Sequence, residues 1–152
     1  MMIVADGHVI EIRVDQSGRP RSMIVSTELD YEQSWLFEEP GWQDLAVGVS
    51  GGVVYWWSAR HLVVLPTGQY RGDPVVISAE EDIRLVFSVA DDWLLVCETS
   101  ALLVTGSQVV SRLDFGEVAI AARWKDSRLL IRDANGNDIR VSVREGRLVT
   151  VQ

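Results

Sequence analysis

Cysteine, histidine and lysine are nearly absent from this sequence, and each scarcity closes off a line of chemistry. Cys97 is the only cysteine, set inside the apolar run "WLLVC", so there is no disulfide framework. It is expected to be a small buried hydrophobe rather than a reactive thiol. His8 and His61 are the only histidines, and no cluster of Cys, His or carboxylate residues has metal-ligand spacing. No G-x-S-x-G nucleophile signature occurs. The one glycine-rich stretch, "GVSGG" at 48–52, lacks the spacing and the following lysine of a phosphate loop. Neither a metal nor a cofactor is expected, nor a catalytic residue. No run approaches the roughly 20 apolar residues of a membrane helix. The N-terminus has a three-residue apolar run and no basic region, so a signal peptide is not expected and the cytoplasm is the expected compartment.

Positive charge is the next shortage. The 152 residues carry 14 basic against 22 acidic side chains, a net charge of −8. Lys125 is the only lysine, which we read as composition rather than mechanism. Such a chain is repelled by nucleic-acid phosphates and by anionic membranes, and its field favours a basic protein partner. No basic residue lies between Arg21 and Arg60, whereas Glu28, Asp30, Glu32, Glu38, Glu39 and Asp44 all fall in that interval. A second acidic group, Glu80, Glu81, Asp82, Asp91, Asp92 and Glu98, faces only Arg84. From Glu117 onward seven basic residues outnumber five acidic ones, leaving that stretch mildly positive. Asymmetry of this kind points either to an interaction face or to a solvated surface.

What the chain has in quantity is short apolar runs cut by turn residues. At 47% apolar and 24% charged it has an ordinary globular composition. "HVIEIRV" alternates polar and apolar residues, as a half-buried strand does. "DQSGRP" is a turn and "RSMIVST" the return strand, so 8–27 is a hairpin. Residues 28–39, "ELDYEQSWLFEE", are the one candidate helix, with Thr27 as cap and Pro40-Gly41 as stop. An acidic, aromatic loop would look much the same.

Strands then follow in quick succession. "GGVVYWWSARHLVVL" lies over "DDWLLVCETSALLVT" forty residues on, and "DSRLLIRDANGNDIRV" follows about thirty-five residues later. The runs "VVYWW" and "WLLVC" are apolar without alternation, which implies that both faces of those strands are covered. A period of 35–40 residues with four strands per unit resembles β-propeller blades over roughly 44–152. Gly7-His8 is similar to a blade-opening Gly-His pair. The Trp-Asp dipeptide that ends WD40 blades is absent.

The expected fold is therefore a single all-β domain over 1–152. It comprises the hairpin 8–27, an acidic helix or loop at 28–43 and three antiparallel blade-like units at 44–79, 83–115 and 117–152. A β-sandwich is the alternative.

Asp133, Asn135 and Asn137 of "DANGND" mimic alternate oxygen ligands of a calcium loop. Asp138 stands where glycine is needed and Arg144 where glutamate is needed, so a hairpin turn is the better account. Trp35 and Trp42 flank Glu38 and Glu39, and aromatic anchors beside carboxylates suit a protein interface. The expected partner-binding set is thus Glu28, Asp30, Glu32, Trp35, Glu38, Glu39, Trp42 and Asp44. The expected function is a non-enzymatic protein-binding module, in its sharpest form an immunity protein neutralising a basic toxin such as a nuclease. One alternative is an assembly module that pairs through open sheet edges, for example as a homodimer. The other is a ligand binder or enzyme with a pocket between blades, using Arg60 and His61.

Overall fold

The computed structural model describes residues 1–27, 32–37, 45–50, 52–67 and 72–151. Among them every regular element is a strand, and the all-β class holds. The strands form four separate four-stranded sheets, each an antiparallel meander in sequence order. The chain divides into two compact units, Met1–Ser78 and Ala79–Gln152.

The first sheet holds β1 (Met2–Ala5), β2 (His8–Val14), β3 (Pro20–Thr27) and β4 (Glu32–Leu36). The hairpin expected at 8–27 is thus the middle of a complete four-stranded unit. Asp6 and Gly7, with φ of 46° and 72°, make the two-residue turn that joins β1 to β2. Gly7-His8 is accordingly a hairpin junction rather than the opening of a blade.

The helix expected over 28–39 is not formed across 32–36, where the chain is a strand paired with β3. Alternation decides it. Gln33 and Trp35 turn inward while Glu32, Ser34 and Leu36 are exposed. A helix would have kept Trp35 and Leu36 on one face.

The second sheet holds β5 (Ala46–Ser50), β6 (Val53–Ser58), β7 (His61–Pro66) and β8 (Val75–Ser78). It packs on the first through Ile10, Ile12, Met23 and Val25 against Val54, Trp56, Val63 and Leu65.

In the other unit the third sheet holds β9 (Ile83–Val89), β10 (Asp92–Cys97), β11 (Ser100–Thr105) and β12 (Gln108–Asp114). The fourth holds β13 (Ala119–Lys125), β14 (Arg128–Asp133), β15 (Asp138–Arg144) and β16 (Arg147–Thr150). Their shared core joins Leu94, Val96, Ala101 and Leu103 to Leu129, Ile131, Val141 and Leu148.

The unalternating runs behave as their composition requires. All of Trp93–Cys97 and Ser100–Val104 is buried, as is Leu62–Leu65. β6 departs from this, since its burial alternates along "VVYWWS".

Candidate functional site

The described part of the acidic interval is anchored to the first unit by Trp35 and Phe37. In β4, Trp35 lies opposite Met23 and packs against the core, meeting Trp56 edge to face at 5.3 Å. Phe37 follows, buried in the same cluster, and its amide donates to the Arg21 carbonyl at 3.0 Å. With Trp35 and Phe37 turned inward, the strand presents Glu32, Ser34 and Leu36 outward. β4 is the outermost strand of its sheet. Of the eight expected partner-binding residues, Glu32 is placed on this outer side and Trp35 on the inner side. Glu28, Asp30, Glu38, Glu39, Trp42 and Asp44 lie outside the described residues. Leu36, 66% exposed on the same side of β4 as Glu32, is a surface residue that an amphipathic-helix assignment hides, because it pairs Leu36 with Trp35. Period-2 alternation over "EQSWL" is the signal that finds it.

The polar groups that could carry chemistry are engaged in structure. His8 is buried, with Nδ1 2.8 Å from the Asp6 carbonyl and Nε2 bonded to the Thr67 hydroxyl. A carbonyl only accepts, so Nδ1 carries a proton and donates to it. The ring thereby ties β2 to the end of β7. His61 opens β7, half-buried and opposite Ser58 and Ser78, and Arg60 is exposed in the preceding turn.

Cys97 is fully buried, and burial together with the nearby Glu81 charge pushes its thiol up to about 12. Glu81 itself braces the β10–β11 turn. Its carboxylate accepts from the Thr99 amide at 3.1 Å and from the Thr99 and Ser100 hydroxyls. Partial burial works to raise its pKa, but these bonds and the Arg112 charge outweigh that and hold it low.

The loop tested as a calcium site is a hairpin turn. Asp133 Oδ1 accepts from the Asn135 and Asn137 amides, each at 2.9 Å, which satisfies the carboxylate internally. Among the described residues no group of three His, Cys, Asp or Glu side chains could hold a metal ion.

No protein-family model matches the sequence, and no curated protein matches it. Its backbone is similar to the N-terminal domain of Nup159, with TM-score 0.62 and 13% identity, over 96% of this chain and 41% of that one. A chain in the S. cerevisiae complex of Dbp5 bound to Nup159, Gle1, IP6 and ADP gives TM-score 0.60 and 14% identity, over 95% and 40%. Hsv2 of Kluyvelomyces marxianus gives TM-score 0.51 and 9% identity, over 93% and 48%. The chain thus spans less than half the length of each of these neighbours. At such identities the likeness concerns fold alone: these four-stranded antiparallel sheets are blades of the β-propeller type.

Proposed function

We propose that this chain is a non-enzymatic protein-binding module whose acidic interval from Glu28 to Asp44 receives a basic protein. The observation that carries the reading is β4. Its aromatic side is spent on the core, while its outer side offers Glu32 and Leu36 at the margin of a sheet. A carboxylate steers a cationic surface and an apolar side chain farther along the same strand holds it. An outermost strand also presents backbone groups to which an extended segment can add. One structural neighbour is described as Dbp5 bound to Nup159, so blades of this type serve protein partners elsewhere. In its sharpest form the proposal is a cytoplasmic immunity protein masking a cationic toxin such as a nuclease.

The test is association kinetics with the protein recovered on the tagged chain, at low and high salt. Reversing Glu32, Glu38 and Glu39 to Lys slows association at low salt, and Leu36→Ser speeds dissociation. Association that is indifferent to both changes would place binding elsewhere.

A second reading, self-assembly, is favoured by a different observation. On the first sheet's other margin Met2 and Val4 are 65% and 72% exposed, beside Val9, which pairs with Val4. Light scattering of the Val4→Lys variant against the parent decides it, a dimer lost on substitution supporting assembly.

A further inference from the structure

The seven cations of the C-terminal stretch, scattered in sequence, fall on one face of the fourth sheet. Register places them in rows. Ala121, Arg132 and Asp138 form the first, and Arg123, Leu130 and Arg140 the second. Lys125, Arg128, Ser142 and Val149 form the third, and Arg144 and Arg147 the fourth. All seven cations are exposed. The opposite face carries Leu129, Ile131, Val141 and Leu148 into the core, so the two-residue period of the strands places all seven cations together on the outer face. Seven cations against Asp138 give the strand rows +6, with the exposed carboxylates Asp126 and Glu145 in the turns at their ends, in a chain whose total is −8.

The face is not neutralised from within. Among the described residues, Arg132 alone of the seven makes an ion pair, 3.0 Å to Asp138. Asp138 is held low by the Arg132 hydrogen bond first, against burial, and then by the charges of Arg132, Arg140 and Arg123. One carboxylate therefore answers three guanidinium groups. Beside it, Ala121 leaves an open cleft of about 300 Å³ floored by Ala121 and Leu130 and flanked by Arg123, Arg132 and Asp138.

We propose that this face is a docking surface for an extended acidic polypeptide segment with carboxylates at alternate positions, one of them entering the Ala121 cleft between Arg123 and Arg132. Rows on a strand repeat about every 6.7 Å, the distance between alternate side chains of an extended chain, so an acidic segment matches them row by row. Guanidinium groups hold carboxylates through paired hydrogen bonds. Leu130 and Val149, half-buried among the cations, supply apolar contact between the charged positions.

A polynucleotide fits less well. The patch measures roughly 20 Å by 14 Å, so a longer polyanion would extend beyond its cations. The face also lacks an aromatic ring on which bases could stack, since Trp124 lies on the core side.

The experiment is fluorescence anisotropy with a labelled peptide of about eight residues alternating Glu and Ser. Its companions are an isomer with the glutamates in one block, a Gln-Ser control and a single-stranded oligonucleotide of similar charge. The alternating peptide is expected to bind most tightly, and to lose affinity at high salt. Arg123→Gln with Arg140→Gln should weaken it about tenfold, two exposed pairs being lost. Arg84→Gln, on the third sheet, should leave it unchanged, with circular dichroism confirming the fold of each variant. Binding equal for the alternating and blocked isomers, no binding, or indifference to the paired substitution would overturn the proposal. Tighter binding of the oligonucleotide would reassign the face to nucleic acid. Self-association abolished by the paired substitution would reassign it to a second copy of this chain.

Discussion

Trp35 meets Trp56 edge to face, ring centroids 5.3 Å apart and planes inclined by 71°. One ring belongs to the first sheet and the other to the second, so the contact stitches the two within Met1–Ser78. Trp35 is therefore a packing residue. Trp35→Ala should cost about 2–3 kcal/mol in urea unfolding, discounted for a half-buried position and including about 1 kcal/mol for the ring geometry. It should leave the kinetics of partner binding unchanged if β4 stays paired, whereas Leu36→Ser should speed dissociation and leave stability unchanged.

Asp15 and Asp133 hold equivalent turns. Asp15 Oδ1 accepts from the amides of Ser17 and Arg19 at 2.9 and 3.0 Å, as Asp133 Oδ1 does from Asn135 and Asn137. Gly18 and Gly136, with φ of 81° and 82°, supply the left-handed step in each. The Ser17 hydroxyl first, then the Arg19 amide, holds Asp15 well below the carboxylate range. Asp133 is lowered chiefly by the Asn137 amide. Both groups bind a proton less readily folded than unfolded. Their stabilisation is complete above the unfolded value, about 3.9, and is lost as pH falls through the folded values. Replacing both by Asn should lower stability at neutral pH and flatten the acid limb of a stability–pH curve. An unchanged slope would show that other carboxylates, Glu81 and Asp138 among them, dominate it.

Cys97 should be silent in the native protein. The thiolate is the reactive form, and burial first, then the Glu81 charge, sets it against ionisation. Labelling by a thiol reagent at mildly alkaline pH should follow unfolding and accelerate in urea as stability falls. Fast labelling of the folded chain would contradict that.

Gly48 is held to glycine by a neighbour. It pairs with Tyr55, and a Cβ at 48 would lie 2.4 Å from the Tyr55 ring. That ring stacks on Trp57 at 6.1 Å with planes 8° apart. Gly48→Ala must swing the ring away, at a cost of about 1–3 kcal/mol. Burial raises the Tyr55 phenol, so the displaced ring should titrate closer to an ordinary tyrosine, visible in an ultraviolet pH titration.

The blades were legible wherever apolar runs were bounded by strong turn residues. Val53–Ser58 with His61–Pro66, and Asp92–Cys97 with Ser100–Thr105, recur 39 residues apart, close to the period read from the chain. β1 is hard to see in the sequence because "MIVA" is only four residues long, and Gly7-His8 hides the turn at Asp6-Gly7. β4 reads as a helix in the sequence because acidic residues and a Thr cap imitate a helix start, and the tertiary demand that Trp35 reach Trp56 overrides that local preference. The basic face shows in the sequence only as a mildly positive stretch, since its seven cations are spread among Glu117, Asp126, Asp133, Asp138 and Glu145. It becomes visible once strand alternation assigns each side chain a face. The acidic interval was legible as charge, but composition carries no information on whether a tryptophan beside it points in or out.

Among the described residues, the backbone ladder of each strand pairs only with strands adjacent in sequence. Every pairing therefore closes a short loop, and the entropy of closure is small for a β protein. All-β domains usually fold slowly because distant segments must meet before any contact rewards them. A succession of meanders escapes that constraint at the level of the sheet: each can zip from its own hairpin, and distant encounters are left to the packing of sheets already formed. The polypeptide can thus begin to acquire structure during its own synthesis, long before the last blade leaves the ribosome.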